Sequence, residues 1–395
     1  MKLLVVSPYM PSPTWGFSAR SYYLLKMLAT MHTVSLLTLV AHDEVGADGN
    51  IPLVQDFVET MQVISRPQTQ SKRARQLMSL VGGRSYSLHA HSVAGMQETL
   101  DKLLSKGCYD AVLFESVLTA AYRLPKGVKV IIDEHNIEYE LLQRTYERET
   151  DLLRRWYNWR ESRLLKSVEI ARCGKADLVL VTSEREHVLL KSMLPQKMIE
   201  VVPNGVDIAA FQVDHEAQEV AHSIIFTGTM DYYPNIDAVL FFAERCWPLI
   251  RARVPDATWQ IVGRNPPLEI AKLAELPGVK VTGWVPDVRP YLAAASVAIA
   301  PLLIGSGTRL KILEALAMAK AVVSTSLGCE GLSVVPGKHL MVADQPEAFA
   351  QAVVDFLLNP ARCNAFGSAG RALAEAEYSW EQCGIKLLHA LDRMC

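Results

Sequence analysis

No CxxC pair occurs among the seven cysteines, which stand scattered at Cys108, Cys173, Cys246, Cys329, Cys363, Cys383 and Cys395. Neither a disulfide framework nor a zinc site has that spacing, and an odd set of scattered thiols predicts a reducing, cytoplasmic compartment. Charge of one sign is missing too. The 40 Lys and Arg stand against 42 Asp and Glu, a formal net charge of −2. Nucleic acid as a partner therefore has no global field to act through, and a small molecule is favoured. Long apolar runs are absent. Leu3 to Val6 is ended by Ser7 and Pro8, too short for a signal sequence, and residues 292–304 are interrupted by Ser296 and Pro301. Both fall short of the roughly 18 residues of a spanning helix. No membrane-crossing segment is expected, and peripheral attachment stays open. No GxGxxG follows the first apolar run, which removes the main support for a dinucleotide dehydrogenase. His89 and His91 have no third ligand near them in sequence, so no metal site is expected.

What is present reads as alternating strand and helix. At 395 residues the chain has room for two or three domains of roughly 150 residues each. KLLVVS (residues 2–7) is a strand, 8–16 a Pro-rich turn, 17–31 an amphipathic helix and 33–40 a second strand, the opening of a parallel α/β sheet. Gly16 stands just before that helix, where backbone N–H groups can meet a ligand. Residues 41–105 are less informative, and the basic 70–75 stretch reads as a solvated face. AVLFE (111–115) and KVIID (129–133) are buried-type strands, the latter followed by Glu134, His135 and Asn136. A polar cluster past a parallel strand lies at its carboxyl end, where open α/β sheets bind ligands. His135 can donate one hydrogen bond and accept another there, or serve only the fold.

Residues 139–173 read as one long helix rich in Arg and Trp. Such a helix can lie on an anionic membrane, but seven carboxylates between Glu138 and Glu169 offset its charge, which favours a solvated helix packed on the first domain. Residues 177–182 form the next strand, Ser183 and Glu186 a capping box, and 195–221 a linker around Asn204-Gly205. A second series of strands follows at 223–227, 258–262, 279–282 and 297–300. Each ends in a glycine-bearing turn: GTMDYYPN from Gly228, GRNPP from Gly263 with Arg264, GWVPDV with Val285, and GSGT with Gly305 and Gly307. Four such turns on one sheet edge suit a nucleotide.

The last of these turns opens residues 297–332, VAIAPLLIGSGTRLKILEALAMAKAVVSTSLGCEGL. Helical spacing over 308–319 puts Arg309 and Lys311 in the first turn, where the macrodipole already favours an anion. Two cations there suggest a phosphate. Glu314, three residues on from Lys311, can reach the same pocket and accept sugar hydroxyls. Alternatively Lys311 and Glu314 form a solvated surface pair.

This stretch resembles the donor-site signature of glycosyltransferase family 4, retaining nucleotide-sugar enzymes of the GT-B fold. The resemblance implies an α/β chain of two Rossmann-like parallel-sheet domains facing each other across a cleft, with limits drawn at 1–198 (acceptor), 199–376 (donor) and 377–395 (a helix crossing back). PNGVD (203–207), DEHNIEYELL (133–142) and YSW before the last helix also resemble family segments. Glu314 then binds the donor ribose. The family's second Glu, eight residues earlier, is Ser306 here. The turn from Gly228 to Asn235 lacks the Arg and Lys that much of the family carries, so Arg309 and Lys311 supply more of the charge on the diphosphate, with Arg264 near the base. His135, Lys311 and Arg309 are the implied catalytic residues. Gly16, Gly228, Gly263, Arg264, Val285, Gly305, Gly307, Glu314 and Glu330 are the implied donor contacts. No DxD occurs in the sequence, and no metal or cofactor is expected. The expected activity is sugar transfer from a nucleotide sugar to a glycan or lipid-linked acceptor in polysaccharide or glycolipid synthesis. A non-catalytic nucleotide-binding relative and a nucleotide-sugar epimerase or hydrolase are the alternatives.

Overall fold

The computed structural model describes residues 1–395 apart from 14–15, 42–49, 67–75, 77, 81, 84, 92, 94, 214–218, 306 and 395. The readings of the 70–75 face and of Ser306 lie outside the described residues, as do the side chains of His89 and His91. Two compact units divide the chain: Met1–Pro203 with Cys383–Cys395, and Asn204–Gln382.

The first unit is built on seven parallel strands: β1 (Lys2–Ser7), β2 (Thr33–Ala41), β3 (Thr60–Arg66), β4 (Ala111–Glu115), β5 (Lys129–Glu134), β6 (Leu178–Val181) and β7 (Ile199–Val201), in the order β3-β2-β1-β4-β5-β6-β7. Leu and Val in β1 and Ala, Val, Leu and Phe in β4 run without alternation, and residues on both faces of each strand are buried, as in a sheet covered on both sides. The second unit repeats the plan with β8 (Ser223–Thr227), β9 (Thr258–Val262), β10 (Val279–Gly283), β11 (Val297–Ala300), β12 (Ala321–Ser324) and β13 (Met341–Val342), ordered β10-β9-β8-β11-β12-β13. Each sheet thus reverses direction of growth once, at β1/β4 and at β8/β11. Ligands in open α/β sheets sit outside the carboxyl ends of the strands at such a point.

Several limits shift from those drawn on the sequence. β7 pairs with β6, Val179 opposite Ile199, so residues 199–203 belong to the first unit rather than the second. The expected 195–221 linker is for the same reason partly strand. Beyond it, Val206 N–H donates to the Tyr378 carbonyl at 2.7 Å inside the second unit. The final helix, Trp380–Met394, begins in the second unit and from Cys383 onward packs in the first, where a side chain on Gly384 would stand 2.4 Å from Met27 Cγ. The long 139–173 helix is two, Glu138–Arg148 and Leu152–Cys173, because Asp151 turns extended and caps the second by accepting the Arg154 N–H at 2.8 Å. The capping box is also altered: Ser183 accepts the Glu186 N–H, but the Glu186 carboxylate returns to Thr182 N–H at 3.0 Å, one residue further out. Among the described residues no helix is long and apolar enough to cross a membrane.

Candidate active site

In the second unit the reversal point is crowded by backbone. Gly263, the first residue after β9, has no room for a side chain, since a Cβ would stand 1.7 Å from the Gly228 carbonyl oxygen. Gly228, just past β8, is pressed in turn by Asn235 Nδ2 and Lys311 Nζ, each 2.8 Å from where its own Cβ would be. Both glycines are required by the approach of protein atoms.

Lys311 lies in the first turn of the Leu310–Ala317 helix, and its Nζ donates to Asn235 Oδ1 at 2.8 Å while standing 3.9 Å from the Phe226 ring centroid. Asn235 is fixed by donating Nδ2 to the Thr229 carbonyl at 2.8 Å. The amine is therefore held by a neutral amide and a ring face, neither of which supplies a full countercharge. Burial and the nearby Arg309 push Lys311 down to about 7, with Glu314 offsetting part of the shift. Burial pushes Glu314 up to about 7, against the pull of Lys311. Among the described residues no ion pair joins the two, because Lys311 turns to Asn235 instead. The surface-pair alternative does not hold.

Arg309 is not in the first helical turn. It is the residue before the helix, extended at φ −88° and ψ 93°, and its carbonyl accepts the Ile312 N–H at 3.0 Å. Its guanidinium folds back on the preceding loop, donating to the Gly307 carbonyl and lying 2.8 Å from where a Cβ on Gly305 would be. Gly305, at φ 138°, makes room for it. The other expected donor contacts stand at neighbouring strand ends. Arg264 follows β9, its carbonyl accepting Met230 N–H at 2.8 Å. Val285 follows β10 and packs on the apolar cluster of Leu292 and Ile312. Glu330 sits in the turn after β12, which is tied to the β11 loop by Thr325 Oγ1 donating to the Leu302 carbonyl at 2.5 Å.

The first unit gathers its own polar set. Gly16 opens the Gly16–Met31 helix, which carries Arg20 inward. Arg20, 1% exposed, holds Asp133 at the end of β5 through Nε at 2.9 Å and Nη2 at 2.6 Å, and its Nη1 donates to the Val202 and Pro203 carbonyls at 2.8 and 3.0 Å. His135, 7% exposed, brings Nε2 to 3.3 Å from Asp133 Oδ2. Burial alone would raise Asp133, but the Arg20 charge and His135 outweigh it and hold the carboxyl well below the usual carboxylate range. Asp133 is thus held as an anion beside the His135 ring. Glu115, at the end of β4, is raised by burial and drawn back by His135 and the Ser7 and Ser21 hydroxyls.

Arg20, Asp133 and Asn235 were not singled out from sequence. Two carried a signal: Arg20 shares a stripe with Leu24 and Leu28, and Asp133 interrupts an apolar strand, positions where an unpartnered charge is too costly to bury. Asn235 gave only a turn residue.

Twin parallel sheets of this order, each with a polar cluster at its reversal point, define the GT-B fold. Solved structures agree. Sucrose-phosphate synthase from Thermosynechococcus elongatus superposes with a TM-score of 0.75 at 17% identity, covering 100% of this chain and 99% of that one. The Anabaena protein HepE in complex with UDP-glucose does so at 0.68 and 13% identity, covering both chains fully at 100%. The family model for Glycosyltransferase Family 4 matches residues 16–210, and that for Glycosyl transferases group 1 matches residues 221–359. The chain belongs to glycosyltransferase family 4. Among its relatives, a GDP-mannose-dependent alpha-(1-6)-phosphatidylinositol monomannoside mannosyltransferase of Mycolicibacterium smegmatis is 29% identical over 218 residues, 50% of this chain and 57% of the relative. The Escherichia coli UDP-Gal:alpha-D-GlcNAc-diphosphoundecaprenol alpha-1,3-galactosyltransferase is 26% identical over 272 residues, 64% of each chain. The chain therefore spans between half and two thirds of the length of these two relatives.

Proposed function

We propose that the chain transfers a sugar from a nucleoside diphosphate sugar to a hydroxyl of a glycan or lipid-linked acceptor, with retention and without a bound metal ion. The observation that carries this reading is the buried amine of Lys311, fixed on Asn235 with no carboxylate bonded to it among the described residues, beside the N-terminus of the Leu310–Ala317 helix. A leaving diphosphate needs a preorganised cation and backbone N–H groups at that position. Glu314, one turn deeper, suits the ribose hydroxyls, and Arg309 adds charge at the loop. His135, beside the Asp133 anion, suits the transferred sugar. The names of the two bacterial relatives specify GDP-mannose and UDP-Gal as donors and lipid-bound acceptors, and HepE was solved with UDP-glucose, which supports a nucleotide sugar here. The lack of a DxD motif supports metal independence, and the scattered free thiols support a cytoplasmic setting. No carboxylate can be assigned as a covalent nucleophile, so retention is assigned to front-face displacement assisted by the leaving phosphate.

The test is turnover against a panel of UDP, GDP and ADP sugars with soluble acceptor glycans, the product anomer being read by NMR. Transfer with a retained anomer, unchanged in excess EDTA, is expected. His135→Ala should lose turnover while keeping nucleotide affinity. Donor binding without turnover across the panel would make the chain a non-catalytic relative, and sugar release without acceptor would make it a hydrolase.

The titrations at Lys311 and Glu314 give a second check. Above about pH 7 the free Lys311 is mostly neutral, and a diphosphate that favours its charged form must draw in a proton. Below about pH 7 the free Glu314 is mostly protonated, and hydroxyl donation to its carboxylate must expel one. Nucleoside diphosphate binding should therefore take up about one proton at pH 8 and release protons at pH 6. Calorimetry in buffers of different ionisation enthalpy reads the sign directly. Equal heats in all buffers at both pH values would remove Lys311 and Glu314 from the ligand.

A further inference from the structure

We propose that the outward face of the Leu152–Cys173 helix docks the protein on an anionic lipid bilayer. The start of this helix turns large apolar side chains to solvent: Leu152 is 78% exposed, Leu153 81%, Trp156 52% and Trp159 42%. Leu152, Trp156, Trp159 and Arg163 follow at helical spacing on one stripe, while Glu161, Leu165, Glu169 and Cys173 form the buried one. A contiguous exposed patch of this kind marks an interaction surface.

Charge decides which partner it fits. Counted along the sequence, carboxylates cancel the arginines here, but the structure buries the two that the helix itself carries and leaves Asp151 and Glu147 exposed just before its start. The helix contains two, Glu161 and Glu169. Glu161 accepts the Ser79 hydroxyl and, at 2.7 Å, the Tyr86 N–H. Glu169 is fully buried and accepts the Glu138 and Tyr139 N–H groups, both at 3.0 Å, capping the neighbouring helix. In the connection before it, Asp151 is bound to the Arg154 N–H and Glu149 to the Asp151 N–H. Glu147 is exposed one turn earlier, on the other helix.

The cations stay outside. Arg154, Arg155 and Arg163 are exposed and Lys166 partly so. Three of them lie over aromatic rings: Arg155 at 5.2 Å from Tyr146, Arg163 at 5.9 Å from Trp159 and Lys166 at 4.8 Å from Tyr139. Between Tyr139, Tyr146, Trp159, Arg163 and Lys166 lies a cavity of about 300 Å³, polar and apolar in its walls, of a size for a phosphate-bearing headgroup. Exposed Leu and Trp side chains flanked on the same side of the helix by Arg155, Arg163 and Lys166, with the helix's own carboxylates withdrawn, match the acyl and headgroup layers of an anionic leaflet. An acidic protein would match the cations but leaves Leu152 and Leu153 unexplained.

The full-length chain should co-sediment with vesicles of phosphatidylglycerol in phosphatidylcholine, but not with phosphatidylcholine alone, and added KCl should release it. Leu152→Ser with Leu153→Ser, and separately Arg155→Glu with Arg163→Glu, should each weaken binding at least about tenfold. All four side chains are exposed, so thermal melts of both variants should match wild type. Three results would overturn the proposal: no binding to anionic vesicles, equal binding to neutral ones, or unchanged binding in both variants. A dimer in sedimentation velocity that Leu152→Ser with Leu153→Ser dissolves, without vesicle binding, would give the face to a second copy of the chain instead.

Discussion

Arg20→Ala should lower the stability of the first unit by about 3 to 5 kcal/mol, the cost of leaving one partner of a buried ion pair alone. Arg20 and Asp133 are both nearly inaccessible, joined by two hydrogen bonds, and the same guanidinium holds the Val202 and Pro203 carbonyls where β7 ends. Without Arg20, an anion remains in the interior beside Glu115 with only His135 near it, and it is relieved by taking a proton. The sign with pH follows. In the wild type the depressed Asp133 contributes stability above its ordinary pKa of about 4 that is lost only in stronger acid. In Arg20→Ala that contribution is gone, and the deficit should shrink on acidification toward pH 5. Urea unfolding at pH 7 and pH 5 measures both effects. The double variant Arg20→Met with Asp133→Leu should recover much of the loss, because no charge is left unpaired. A single variant within about 1 kcal/mol of wild type would mean that water reaches the pair and that Asp133 does not present a buried anion to His135.

Lys311→Ala should lower kcat and kcat/KM together by roughly ten- to a hundredfold, the worth of a charge-assisted hydrogen bond of about 1.5 to 3 kcal/mol. The negative charge on a leaving diphosphate grows as the glycosidic bond breaks, so a cation fixed in advance acts more on the transition state than on the bound donor. Asn235 does the fixing, and Asn235→Ala should reproduce part of the loss with the charge still present. Glu314→Ala should differ in kind. Ribose hydroxyls do not change during transfer, so its removal should chiefly raise the donor KM. Steady-state kinetics with the donor found in the panel separate the two patterns. Wild-type kinetics in both variants would send the search for the diphosphate elsewhere in the second unit.

How far these sites could be read in advance depended on the distance over which each contact acts. β1, β4, β8, β9 and β11 are short apolar runs with turn residues after them, a local signal, and their limits agree with the structure. β3 carries Thr60, Gln62 and Ser65 among its apolar residues and passed unread, since an edge strand lacks the continuous run of a central one. Helical spacing extends through Thr308 and Arg309 and does not reveal that both precede the helix; the fold-back of Arg309 onto Gly307 is a tertiary choice. Pairings across long separations left the least trace. Arg20 meets Asp133 across 113 residues and Lys311 meets Asn235 across 76, and in each case one partner looks like an ordinary residue of its own element. The charge balance of the Leu152–Cys173 helix misled for the same reason, since a count does not distinguish a carboxylate in water from one capping a neighbouring helix.

The route of the last helix bears on the order in which the molecule comes into being. Cys383, Leu387, Ala390 and Leu391 are fully buried, and from Cys383 onward they pack in the first unit, whose other residues end at Pro203. A ribosome therefore makes every residue of the second unit before it supplies the piece that completes the first. At synthesis rates of about 5 to 20 residues per second, the nascent first unit waits on the order of ten to forty seconds with the Met27 side of its leading helix uncovered. The unit translated first is the one finished last, and until Cys383–Cys395 arrives the apolar surface against which Cys383, Leu387, Ala390 and Leu391 pack has no cover from this helix.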